Sequence, residues 1–233
     1  MKILITGATG FIGEWVMNEL KRSEHSAIAF SGDIRDKNTF PKGAFDAIIH
    51  LAAIITHREQ YSLKDMIEVN IEGTKNICEV YSESKIVYIS TTDVTKQPLS
   101  DYAMTKLESE KIVKMQQNYV IMRLPSVFGP HQRQAKLIPL LFRKYTENAE
   151  CTIFNNDLRE YIFVKTLARQ IVEGIDQVGV ITISGIKIRN FDVDKMIHAI
   201  CEHREISGLT PKEKEFFLNL KECFPRQGES HEN

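Results

Sequence analysis

Tyr102 and Lys106 lie four residues apart in the run Tyr-Ala-Met-Thr-Lys. On a helix that spacing puts both side chains on one face. A phenol with an ordinary pKa of about 10 is a weak base at neutral pH. A nearby ammonium favours the phenolate and is expected to lower that value. Such a pair can take the proton of a carbinol as hydride leaves, or return a proton to a carbonyl. Ser90-Thr91-Thr92-Asp93 ends the apolar segment before it. A hydroxyl there can hydrogen-bond the same oxygen. Thr91, Tyr102 and Lys106 are therefore the catalytic candidates. Tyr-x-x-x-Lys is common by chance, so the reading gains weight only from a hydride carrier bound elsewhere.

Thr6–Gly13 supplies the place for one. It reads Thr-Gly-Ala-Thr-Gly-Phe-Ile-Gly, directly after the apolar run Lys2–Ile5 and before the helical pattern Phe11–Arg22. In that setting Gly7 serves the tight turn, Gly10 admits a pyrophosphate close to the backbone, and Gly13 lets helix and sheet approach. The helix N-terminus adds unpaired N–H groups and a positive dipole end.

The elements that must carry these residues alternate. Strands are expected at Lys2–Thr6, Ala27–Phe30, Asp46–Ala53, Ile86–Ser90 and Tyr119–Leu124. Helices are expected at Phe11–Arg22, Leu63–Ser82 and Asp101–Gln117, the last with Ser100 as N-cap. Nearly continuous apolar strands belong to a parallel sheet covered on both faces. The expected fold is α/β, a doubly wound parallel sheet of the Rossmann type, with ligands at the carboxyl ends of its strands. After Pro125 the pattern changes. Ser126–Gln134 reads as a loop, Ala135–Glu147 as a helix, Cys151–Phe154 as a strand, and Leu158–Val164 mixes charge with aromatics. Helices at Thr166–Ile175, Asp192–His203 and Lys212–Glu222 and a strand at Val180–Ser184 follow, with Phe216, Phe217 and Leu220 facing a core or a partner. The division expected is a core at 1–125, a small substrate-binding lobe at 126–224 interleaved with it, and a disordered tail at 225–233.

Composition narrows the classes. The 233 residues suffice for one sizeable core. A net charge of −1 offers nothing to nucleic acid or an anionic membrane. The longest apolar run, Ala47–Ile55, is too short to cross a bilayer. Cys78, Cys151, Cys201 and Cys223 are scattered and read as free thiols of a cytoplasmic protein. His57, His131, His198 and His203 lack metal-ligand spacing, so no metal is expected. His50 reads as a packed strand residue.

Taken together, these motifs resemble the extended short-chain dehydrogenase/reductase superfamily, the nucleotide-sugar epimerases, dehydratases and reductases. His50-Leu-Ala-Ala53, Asn70-x-x-Gly73-Thr74, Ile89-Ser-Thr91, Arg123–Pro130 and Arg159–Val164 add to the resemblance in the right order. The resemblance implies roles. Gly7, Gly10, Phe11, Ile12 and Gly13 would bind the cofactor pyrophosphate. Asp33 and Ile34 would meet adenine, Ser31 the adenosine ribose, and Leu51, Ala52 and Ala53 the cofactor's flank. Pro125 and Val127 would lie beside the nicotinamide. Tyr102 would be the acid/base, Lys106 would orient the ribose, and Thr91 and Thr92 would hold the sugar. Arg159 would grip a diphosphate, while Arg133 and Gln134 either reach substrate phosphates or belong to a solvated loop. A homodimer through Leu63–Ser82 and Asp101–Gln117 is also implied.

The departures from the family pattern sharpen these expectations. Ser31 replaces the acidic residue of NAD-preferring members, which with Arg35 nearby favours NADP over NAD. The segment between the second strand and Asp46 is short, so part of the usual sheet is reduced. Ten residues separate Thr91 from Tyr102, fewer than in many sugar epimerases. Thr92-Asp93 stands where 4,6-dehydratases carry an acid pair, which weakens that alternative. A sensor that only bound the dinucleotide would not need Thr91, Tyr102 and Lys106 together. The activity expected is hydride transfer at C4 of a nucleotide-diphosphate sugar, as 4-keto reduction or C4 epimerisation.

Overall fold

Six apolar strands pair side by side, all parallel, in the order β2-β1-β3-β4-β5-β8. They are β1 (Lys2–Thr6), β2 (Ser26–Ala29), β3 (Ala47–His50), β4 (Lys85–Thr91), β5 (Tyr119–Leu124) and β8 (Gly179–Thr182). This computed structural model describes residues 1–55, 61–153 and 155–224. His57 and the tail Pro225–Asn233 fall outside them. β3 is buried along its whole length and β4 as far as Ser90, as strands covered on both faces must be. β1 has β2 on one side and β3 on the other, so the chain reverses direction across the sheet there. That reversal opens a crevice at the carboxyl ends. Thr6 is in register with His50, His50 with Tyr88, and Thr91 with Leu124.

The strands belong to a compact unit of Met1–Pro125 with Ala168–Ile183. Its helices include α1 (Phe11–Lys21), α2 (Leu63–Met66), α3 (Gly73–Val80) and α4 (Asp101–Val113). A π-turn, Ile67–Glu72, joins α2 to α3. Ser62 opens α2 with a capping box to Asp65, and Ser100 caps α4 by accepting from the Ala103 N–H at 3.2 Å. Between β2 and β3 there is only a short 3-10 turn, Lys37–Thr39. Aromatic rings fill that side of the sheet. Phe40 stacks on Tyr81 at 5.9 Å and meets the edge of Phe30 at 5.2 Å, and the Tyr81 hydroxyl donates to the Pro41 carbonyl.

The second unit is Ser126–Leu167 with the described residues from Ser184 onward. β6 (Ser126–Phe128) pairs parallel to β7 (Leu158–Phe163), and β7 pairs antiparallel to β9 (Ile186–Arg189). α5 (Leu137–Thr146), α7 (Asn190–Cys201) and α8 (Pro211–Cys223) belong to this unit, and α6 (Val164–Glu173) begins in it. Phe128, Leu141, Phe163, Val193, Phe216 and Leu220 share its core. Phe216, Phe217 and Leu220 are thus buried within this chain. Several sequence expectations change here. The loop expected at Ser126–Gln134 begins as β6. Cys151–Ile153 form no strand, and Phe154 lies outside the described residues. β9 was not anticipated. Its four residues alternate Ile with Lys or Arg, a signal too short to stand without β7 beside it.

Candidate active site

The glycine run leaves β1 as a turn closed by the Gly10 N–H donating to the Gly7 carbonyl at 3.0 Å. Gly7 has φ +69°, and a Cβ there would lie 2.7 Å from the Ala52 nitrogen. At Gly13 a Cβ would lie 2.1 Å from the Gly7 carbonyl oxygen. Both positions therefore exclude any side chain. No side chain caps α1, and Gly10 is its N-cap. The first N–H groups of α1, at Phe11, Ile12 and Gly13, thus remain for an anion.

Leu51, Ala52 and Ala53 follow β3 and are half-buried beside this turn. A chain of hydrogen bonds fixes them. The Ala52 N–H donates to Thr6 Oγ1 at 3.2 Å, and Thr6 Oγ1 lies 2.6 Å from His50 Nδ1. His50 Nε2 lies 2.9 Å from Thr74 Oγ1, which donates to the Asn70 carbonyl at 2.6 Å. Because Thr74 spends its proton on Asn70, His50 donates through Nε2 and accepts from Thr6 at Nδ1. The ring is neutral: burial, with the Lys106 charge adding to it, pushes its pKa down to about 3. Asn70, in the π-turn, straps the next stretch. Its side chain accepts from the Ile54 N–H and donates to the Ile54 carbonyl and to Thr105 Oγ1 on α4. The sequence marked Asn70 and Thr74 by resemblance without giving them a task.

Thr91 ends β4, and its Oγ1 accepts from the Asp93 N–H at 3.1 Å. That contact leaves the hydroxyl proton free to donate. Thr92 opens the short turn Thr92–Thr95 against which α4 packs. Asp93 is ion-paired with Lys96. Tyr102 sits in the first turn of α4. Burial, reinforced by the Asp93 carboxylate, pushes its hydroxyl above the usual phenol range. This corrects the expectation that Lys106 lowers it. The Lys106 ammonium instead lies over the Tyr88 ring, 3.9 Å from the centroid. Burial brings its own pKa down to about 7, against the pull of Glu110. Burial opposes both charged forms.

Glu110, one turn beyond Lys106 on α4, is fully buried. Ser90 Oγ donates to its Oε1 at 2.6 Å. Arg123 on β5 reaches Oε1 through Nε at 3.0 Å and Oε2 through Nη2 at 2.7 Å. Burial pushes this carboxyl up, but Arg123, Ser90 and Lys114 outweigh it and hold it below the usual range.

The outer residues are placed as follows. Ser31 is exposed just past β2. Asp33 is exposed and holds Arg35 in a fork, Nε to Oδ1 and Oδ2 at 3.0 Å and Nη2 to Oδ2 at 2.6 Å. The Arg35 guanidinium keeps the Asp33 carboxyl below its usual range. Ile34 is buried against Gly73 of α3. Pro125 is buried at the end of β5. Val127, Arg133 and Arg159 belong to the second unit, where Val127 is on β6, Arg133 is exposed, and Arg159 on β7 lies 4.0 Å from Asp157. Among the described residues no group of three or more His, Cys, Asp or Glu could hold a metal ion, and no helix is long and apolar enough to cross a membrane.

A parallel sheet with a glycine cradle at its switch point is an α/β dinucleotide-binding fold. The profile of the NAD dependent epimerase/dehydratase family matches residues 3–181. The chain belongs to that family. It is 29% identical to an uncharacterised UDP-glucose epimerase, YtcB, of Bacillus subtilis strain 168, over 76% of this chain and 72% of that one. It is 27% identical to a dTDP-D-glucose 4,6-dehydratase of Dictyostelium discoideum, over 84% of this chain and 61% of that one. Among solved structures it superposes on MoeE5 in complex with UDP-glucose and NAD with TM-score 0.76 and 21% identity, over 91% of this chain and 84% of that one. It superposes on a UDP-glucuronic acid 4-epimerase of Bacillus cereus in complex with UDP-glucuronic acid and NAD with TM-score 0.72 and 25% identity, over 87% and 83%.

Proposed function

We propose that this chain is an NAD-dependent enzyme that moves hydride to and from C4 of a nucleotide-diphosphate sugar, with inversion at C4 as its net reaction. The observation that carries the reading is the placing of Tyr102 and Lys106 on a helix packed against the turn that follows Thr91. The cradle fits the cofactor: Gly7 and Gly13 leave no room for a Cβ, and Phe11, Ile12 and Gly13 offer N–H groups to its pyrophosphate. Bound there, the nicotinamide supplies the hydride acceptor and donor. Thr91 donates to the sugar oxygen and fixes its direction. Tyr102 takes the C4 hydroxyl proton as the phenolate while hydride leaves, and as the phenol returns it to the C4 carbonyl oxygen when hydride comes back; burial opposes the phenolate. Lys106 holds the ribose hydroxyls and lends the positive charge that the phenolate needs. Arg133 and Arg159 bind the substrate diphosphate, for which a guanidinium fork is suited. Asp93 is ion-paired with Lys96 and Thr92 beside it carries no acid, which favours this reading over that of a dehydratase.

The finer cofactor choice follows from Asp33. Its carboxylate engages Arg35 through three contacts, so the guanidinium offered to a 2′-phosphate by the sequence is already neutralised. This supports NAD. Leu63, Ile67 and Met104, all partly exposed on α2, the π-turn and α4, are the surface on which a homodimer would form, and sedimentation would test it.

The test of the function uses UDP-glucose with NAD, read by proton NMR of the sugar. The wild type should produce the C4 epimer. Tyr102→Phe should lose about 100-fold or more in rate with NAD affinity within a few-fold of wild type. A phenylalanine variant as active as the wild type would remove Tyr102 from the mechanism.

A further inference from the structure

We propose that Glu110 is a positioning residue for Tyr102 and Lys106: one buried carboxylate, held by Ser90 and Arg123, pins α4 to the carboxyl ends of β4 and β5 and serves as the counter-charge of Lys106. The inference deepens the function proposed above and rests on it for the tasks of those two side chains.

Three features of the geometry carry it. Glu110 is fully buried, yet three hydrogen bonds meet its two oxygens. A buried carboxylate with that many partners has one arrangement available to it. Its partners are Ser90, the residue before Thr91, and Arg123, which is in register with Ser90 across β4 and β5. Holding them together sets the distance between Thr91 and α4. Finally, Glu110 lies one helical turn from Lys106, so both project from the same face of α4.

The groups around Lys106 come from every side. Tyr102 and Glu110 are on its own helix, Tyr88 faces it from β4, and His50 on β3 feels its charge. Tyr88 and His50 are both neutral, since burial raises the one and lowers the other. Glu110 is the carboxylate that acts on Lys106. Arg123 anchors that carboxylate from β5.

The experiment follows the ε-carbon signals of 13C-lysine-labelled full-length protein against pH, without nucleotide or sugar. The Lys106 signal is the one lost in Lys106→Met. In Glu110→Gln, which keeps the shape and one acceptor oxygen but cannot accept from both Arg123 nitrogens, its titration midpoint should fall by about one pH unit or more. Glu110→Asp should restore most of that fall. A carboxylate that served packing alone would leave the midpoint unchanged in folded Glu110→Gln, and that result overturns the proposal. If the single variant does not fold, Glu110→Gln with Arg123→Met removes the unpaired guanidinium; the midpoint should still fall, by less because a cation leaves with the carboxylate, and an unchanged midpoint overturns the proposal equally. Because the titration involves no substrate, it decides the role of Glu110 separately from turnover. Failure of the functional reading would instead show as a wild type that binds no NAD.

Discussion

Replacing Lys106 by methionine should make the nucleotide-free protein more stable near neutral pH, and progressively less so as the pH rises. Lys106 is fully buried, and burial brings its pKa from the ordinary 10.5 to about 7. Between those two values the unfolded chain holds a proton at this side chain that the folded chain has released. Folding stability therefore rises with pH through that window. Below about pH 7 both states carry the proton and the cost of burying the charge is complete. Above 10.5 neither carries it and the cost is gone. A displacement of that size corresponds to ~5 kcal/mol at ~1.4 kcal/mol per pH unit. Methionine keeps the apolar stem and removes the ammonium. Urea unfolding of both proteins, followed through the emission of Trp15, should be measured at about pH 6, 7, 8 and 9. The other titrating groups are common to both chains and cancel in the difference. Loss of the contact with the Tyr88 ring lowers the variant by a pH-independent amount, so the slope is the readout. The advantage of Lys106→Met should shrink by ~1.4 kcal/mol per pH unit above pH 7. A difference that stays constant from pH 7 to 9 would refute the reasoning.

Gly13→Ala would put a Cβ 2.1 Å from the Gly7 carbonyl oxygen. The turn must open, and NAD affinity by calorimetry should fall by about 30-fold, the equivalent of ~2 kcal/mol of overpacking; unchanged affinity would deny the cradle its role. His50→Phe removes the link between Thr6 and Thr74 and should cost about 2–4 kcal/mol in urea unfolding. Wild-type stability should also fall as pH drops from 6.5 toward about 3, the window in which the unfolded chain takes up a proton that the buried imidazole refuses, and the variant should lack that component. Asp33→Asn frees Arg35, so NADPH should gain about 10-fold on NADH in fluorescence titrations; an unchanged ratio would mean that Arg35 does not face the adenosine ribose.

The parallel core was legible because its signals are local and repeated. Lys2–Thr6 and Tyr119–Leu124 were placed to the residue by their apolar runs, Phe11 as a helix start by the glycine turn before it, and Asp101 by the Ser100 cap. The second unit was less legible. β6 has three residues, and β9 alternates Ile with Lys or Arg over four. Neither carries enough pattern to be separated from a loop until β7 lies between them. The aromatic packing of Phe30, Phe40 and Tyr81 was equally hidden, since it joins residues far apart in the chain.

In the site, the sequence offered residues to meet a ligand but gave no task to those that hold them, for a physical reason. Thr105, Lys106, Ser109 and Glu110 are consecutive or nearly so, and all four are buried. In a sequence such a run marks the solvent face of a helix, because polarity is the usual sign of exposure. Here Asn70 takes Thr105 and Ser109, with the Ser109 hydroxyl donating to the Asn70 carbonyl at 2.6 Å and the Asn70 amide donating to Thr105. Ser90 and Arg123 take Glu110, and the Tyr88 ring takes Lys106. None of these partners is within ten residues of the group it satisfies. A helix that buried the same face as leucine would be more readily stabilised and easier to read. What it would lose is a charged lysine held in one position beside Tyr102. The place where pattern and burial disagree along this chain is thus the helix that carries the proposed chemistry, as expected when local consistency gives way to a site.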